Sequence, residues 1–169
     1  MEVTADARLP RQDTRTFFWI RAAGHLGRIA LGLIFLAAGF LKALDPAEFS
    51  HQIAGYGLIG PRLSAVAAPA LIVFEIVLGV ALVAGVRPRL TGSASILLLL
   101  LFIGIEAYGI AAGRTEACGC FGAYLAQPLR WWVLIEDAYM LVLAWYAAAA
   151  AGLPIPAPAL RLRRTREAI

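Results

Sequence analysis

The two cysteines of the chain, Cys118 and Cys120, stand one residue apart in the stretch "TEACGCFGAYLAQP". A disulfide between them closes an unusually small ring. Such a bridge has poor geometry, so it should be strained, easily reduced and a good oxidant. Gly119 supplies the backbone freedom the ring needs, and Gly122 lets the chain turn back. A purely structural disulfide rarely joins near neighbours, because so short a loop removes little entropy from the unfolded chain. Three readings stay open: a redox-active pair, a soft-metal thiolate site for Cu(I), Hg(II) or Zn(II), and inert loop cysteines. The redox pair leads. A metal carrier would want a cysteine on the far side to receive the ion, Met1 and Met140 are not grouped with the thiols, and zinc would find only His51 and carboxylates as further ligands. No metal ligand is assigned.

What surrounds the thiols is apolar. The chain of 169 residues is 61 % hydrophobic and 15 % charged, with a mean hydropathy of +0.77. Four apolar runs, 22–44, 63–85, 91–112 and 131–152, each approach the roughly 20 residues a helix needs to cross a hydrocarbon core. Stretches such as "LTGSASILLLLLFIGI" lack the polar face of a soluble bundle helix. The expected fold is therefore all-α, an integral membrane four-helix bundle. Asp6, Asp13 and several arginines precede the first run, which argues for a span rather than a cleaved signal. Phe17–Trp19 and Trp131–Trp132 fall where lipid meets water.

Basic residues set the orientation. Arg8, Arg11, Arg15, Arg21, Arg28, Arg87, Arg89, Arg161, Arg163, Arg164 and Arg166 share one side, against Lys42, Arg62, Arg114 and Arg130 on the other. Both termini and the "GVRPRL" loop are thus expected in the cytoplasm, with the C-G-C loop outside. The basic tail is a topological anchor, and the net charge of +4 calls for no nucleic acid.

The domain plan follows: 1–21, a cytoplasmic segment; 22–152, the four spans; 153–169, a proline-rich then basic cytoplasmic tail. Between spans one and two, Asp45, Pro46 and Glu48 read as an N-cap, a first-turn proline and a capping-box partner. Phe49, Ile53 and Tyr56 then share a face, which predicts a short amphipathic helix in the outward interface, ended by Gly55 and Gly57. The short "VRPR" turn makes spans two and three an antiparallel hairpin. Small residues, among them Gly32, Gly39, Gly79 and Gly104, let helices approach closely.

Ionisable residues inside the spans cost on the order of 3 kcal/mol each, so they should face inward and find partners. Glu75 lies near mid-depth, and Lys42, Glu106, Glu136 and Asp137 in the outer half. Glu75 and Glu106 are candidates for handling protons beneath the thiols, with interhelical ion pairing as the alternative for Glu75. Glu106 is favoured because it lies nearest to the thiols in sequence. Glu136 or Asp137 can pair with Arg130 or Lys42. His25 belongs to the cytoplasmic end, and His51, on the short helix, could reach the thiols.

"LGRIALGLIFLAAGFLKALDPAEFSHQIAGYGLI", "FEIVLGVALVAGVRPR", "EACGCFG" and "RWWVLIEDAY" together resemble the MauE branch of the DoxX-like membrane proteins over nearly all of residues 25–145. The most specific elements are "AGFLKALDP", the Glu75-x-x-x-Gly79 spacing and "CGCFG". The resemblance implies an inner-membrane protein working beside a periplasmic thioredoxin-like partner. In the methylamine setting it implies a part in maturing the disulfide-rich small subunit of methylamine dehydrogenase. Relatives often carry Arg-Asp where this chain has Glu136–Asp137, so no charge-pair role is carried over to that position.

The redox reading makes the protein a membrane thiol–disulfide oxidoreductase or its partner subunit, with Cys118 and Cys120 cycling by way of a mixed disulfide. There is no second cysteine pair. Electrons must therefore pass to another protein or to a membrane quinone between the helices, a cofactor implied by need and by the resemblance. The alternatives are a soft-metal binding or transport protein and an assembly factor that docks its disulfide-rich client without turnover.

Overall fold

The computed structural model describes residues 14–114, 117–122 and 127–150. Among them are five helices and one short strand pair: α1 (Thr14–Leu44), α2 (Pro46–Gly55), α3 (Pro61–Ala84), α4 (Pro88–Ala111), β1 (Ala117–Cys118), β2 (Gln127–Pro128) and α5 (Trp131–Ala150). Four of the helices are long and apolar enough to span a membrane: Ala22–Leu44, Pro61–Ala84, Pro88–Ala111 and Trp131–Ala149. The all-α four-helix membrane bundle expected from the apolar runs is the architecture observed. The proline-rich and basic tail lies outside the described residues, as does 1–13.

Local signals explain the helix ends. The Asp45 side chain accepts the Glu48 N–H at 3.0 Å, and Pro46 takes the first turn, so α2 starts where the cap dictates. Gly85 closes α3 in the left-handed region (φ 73°), which lets its N–H donate to the carbonyl oxygens of Ala81 and Leu82.

Close helix contact is concentrated where glycine permits it. A Cβ on Gly32 would come 3.0 Å from the Gly79 carbonyl oxygen, and one on Gly79 would come 2.8 Å from that of Gly32. Gly39 meets Ile76 in the same seam, and Gly92 joins α4 to α5 against Ala148. Gly104, in contrast, faces open space. Leu31, Phe35, Leu78, Leu82, Leu98, Leu99 and Ala144 fill the bundle between these seams.

Two features depart from a simple up-down bundle. First, α1 packs on both α3 and α5, and α4 packs on α5, whereas α3 and α4 scarcely touch. The tight turn at Gly85–Arg87 makes them chain neighbours, but the seam between them stays open. Second, α1 stops early. Gly39 sits against Ile76, so Leu44 comes level with about residue 71, and α3 runs on for about ten residues, or ~15 Å. α2 fills this space by packing on α3, with Phe49 against Ala68 and Ile72. It is thus the amphipathic helix expected between spans one and two: Phe49, Gln52 and, just past its end, Tyr56 are buried, whereas Ala47, Glu48 and His51 are exposed.

Candidate functional site

The early stop of α1 leaves a bowl, and the C-G-C loop drops into it. After α4, Gly113 (φ 65°) turns the chain, and Ala117–Cys118 pairs with Gln127–Pro128 as a two-residue antiparallel ladder. After the first strand, Gly122 rests on the end of α1. This residue has φ 68°, and a Cβ there would lie 3.1 Å from the Leu41 carbonyl oxygen and from the backbone of Lys42. Both the backbone conformation and the contact demand glycine. Gly122→Ala should therefore lift the loop from α1 and raise alkylation of Cys120 several-fold while leaving helix content unchanged. Alkylation kinetics and far-UV circular dichroism on the same sample check this.

Four ionisable side chains are buried beneath the loop: Lys42, Glu75, Glu106 and Asp137, none more than 2 % exposed. Lys42 Nζ donates to both oxygens of Glu75, at 2.6 and 2.8 Å. The same ammonium lies over the rings of Phe49 and Phe102, 5.2 and 5.3 Å from their centroids. These contacts neutralise one positive and one negative charge within the bundle. Glu106 and Asp137 form the second group. Cys120 Sγ donates to Glu106 Oε1 at 2.7 Å, and the ligand atoms of Glu106, Cys120 and Asp137 all lie within 4.8 Å of one another. Two carboxyls thus stand side by side in a buried place, with the Cys120 sulfur against one of them. Asp137 Oδ2 and Gln52 Oε1 have no hydrogen-bond partner among the described residues.

Each residue singled out from the sequence can now be placed. Glu106 and Cys120 are brought together. Glu75 belongs instead to the ion pair with Lys42, which leaves neither Glu136 nor Asp137 as the close partner of that lysine. Cys118 has its backbone in β1, and its side chain lies outside what the structure describes. Glu136 is exposed rather than facing inward, because it lies one residue off the buried stripe of Val133, Asp137, Ala144 and Ala147. Arg130 lies over the ring of Trp132, at 5.1 Å. His51 points outward, and it is Gln52, one residue on, that meets Gly119 of the loop. His25 is exposed. Asp137 faces inward as expected, but it stands beside Glu106 and Cys120 rather than pairing with Arg130 or Lys42, and Gln52 is a residue the sequence reading does not single out. The spacing of Val133, Asp137 and Ala144 on one helical face was the available signal for Asp137.

A cavity of about 560 Å³ adjoins this cluster. Its walls come from α2, α3 and α4, almost all apolar, and Lys42, Glu106 and Cys120 supply its polar end.

Fold and site together define a small four-span membrane protein whose cysteine loop sits on buried carboxylates. The family model for methylamine utilisation protein MauE matches residues 20–151, and the chain belongs to that family. A Paracoccus denitrificans protein named methylamine utilization protein MauE is 34 % identical over 133 residues, covering 78 % of this chain and 70 % of the relative. No solved structure matches significantly.

Proposed function

We propose that this protein takes part in methylamine utilisation by exchanging disulfides at the periplasmic face of the bacterial inner membrane through Cys118 and Cys120. Its partner is a thioredoxin-like protein, and its client is the disulfide-rich small subunit of methylamine dehydrogenase. The observation that supports this most is the buried carboxyl of Glu106 aimed at Cys120 Sγ. A thiol must lose its proton before it attacks a disulfide, and a thiolate must gain one when it leaves. Glu106 is placed to accept and return that proton, and Asp137 beside it gives the proton a second seat. In one half-cycle a thiolate attacks the partner disulfide, a mixed disulfide forms, and the second cysteine displaces the partner as a dithiol. Two electrons and two protons move, and the reverse uses the same steps. On this reading the chain is also kin to the wider DoxX-like proteins, which its sequence resembles.

A redox titration in lipid nanodiscs, read by alkylation and intact mass, tests it. Two alkylated cysteines should give way to none, with a midpoint above about −300 mV, the upper limit of stable secreted bridges. In reduced spheroplasts the same thiols should react with an impermeant maleimide. Two thiols that stay alkylatable at every potential would refute the exchange.

A second reading has one observation behind it. Glu106, Cys120 and Asp137 offer one sulfur and two oxygens within reach of a single ion. That mixed set suits Zn(II) better than Cu(I) or Hg(II). Stoichiometric zinc binding that survives titration to oxidising potentials would favour it.

A further inference from the structure

We propose that the open seam between α3 and α4 is a lateral port through which an isoprenoid quinone reaches Cys120 from the bilayer. This deepens the exchange reading and rests on it, since it names the acceptor of the thiols' electrons.

Three observations carry the inference. The cavity of about 560 Å³ lies within the roughly 300–1,000 Å³ typical of small-ligand sites. It lies where α3 and α4 fail to pack, and its rim includes Ala70 and Leu101, both exposed on the lipid-facing surface. Its ligand must therefore be one that arrives through hydrocarbon. Lastly, the inner end is not apolar. Lys42, Glu106 and Cys120 line it there, with the Phe102 ring beside the ammonium. A flat apolar ring bearing two carbonyl oxygens matches this end, because it can stack among apolar walls while an oxygen meets the polar groups gathered beside the thiol. The tail leaves through the port into lipid. An acyl chain would fill the walls and make no use of the thiol or the lysine.

The reaction balances within the named groups. The S–H bonds of Cys118 and Cys120 break and an S–S bond forms. The two electrons and two protons released end on the quinone oxygens, which become the hydroxyls of the quinol. The chain has no second cysteine pair to take those electrons.

The test uses the full chain in nanodiscs with a photoreactive azidoquinone and with decylubiquinone. Crosslinks should map to peptides containing Ala67–Leu71 and Leu101–Ile105, and decylubiquinone should compete them away. Anaerobic decylubiquinone should remove both alkylatable thiols from the reduced protein and yield one quinol. Ala70→Trp, at an exposed position, should block the port. It should lower crosslinking and quinone-driven oxidation at least tenfold, while oxidised glutathione in the aqueous phase still oxidises the thiols at the wild-type rate. Ala67→Phe serves as a second blocking variant. Crosslinks that map elsewhere, or quinone oxidation unchanged in both variants, would overturn the port. If glutathione also fails to oxidise the wild-type thiols, the exchange reading falls with it, whereas failure with quinone alone removes only the port.

Discussion

Lys42→Met should cost the protein about 3–5 kcal/mol, because it leaves Glu75 buried without its cation. Glu75 is fully buried, and both its oxygens take hydrogen bonds from Lys42. Water cannot replace the ammonium there without opening the seam between α1 and α3, which the glycine contacts hold closed. The melting temperature in detergent should fall by roughly 10 °C or more for a chain of this size. The double variant Lys42→Met/Glu75→Gln should recover most of that loss, since removing both charges leaves no uncompensated ion. A single variant as stable as the wild type, or a double variant no better than the single, would show that the pair does not hold the seam. The pair also fixes where the Lys42 ammonium stands at the end of the cavity, so Glu75 acts on that site by positioning Lys42.

The sequence made some of this legible and hid the rest for physical reasons. The spans, the Asp45 cap and the close approach at Gly32, Gly39 and Gly79 are local or periodic features, and a linear reading finds them. Glu106 could be linked to the thiols because α4 leads directly into their loop. The Lys42–Glu75 pair joins residues 33 positions apart, and nothing local tells a buried lysine which carboxylate it will meet. The early end of α1 was visible as a helix end, but not as a depth. Depth depends on which residue of α3 stands opposite, which the Gly39–Ile76 contact decides. The open seam could not be read at all, since a short turn guarantees chain proximity and not packing. His51 and Gln52 differ by one residue, but a helix turns about 100° between them, so the polar side chain that meets the loop is the second.

Glu106→Gln should slow thiol exchange by about a hundredfold at pH 7 and leave the bundle folded and inserted. A positioned proton acceptor typically contributes 10²–10⁴-fold, and exchange by a small thiol needs the lower end of that range. Glutamine keeps the shape of the side chain and can still contact Cys120 Sγ, but it cannot take the proton. The variant must then wait for solvent to ionise the thiol. Its rate should climb with pH toward the ordinary thiol pKa of about 8.5, while the wild-type rate changes less over the same interval. The gap should close by about pH 9. Charged neighbours set the limits of this effect: Asp137 stands beside Glu106, and Lys42 is held by Glu75. Asp137→Asn should accordingly produce a smaller loss with the same pH trend, because it removes the second seat for the proton and leaves the first. Stopped-flow oxidation of a thioredoxin-like partner across pH 6–9 measures both variants, with expression and maleimide accessibility as controls. A loss that stays constant across pH would mark Glu106 as a packing residue. Wild-type rates at every pH would leave the cysteines acting without it.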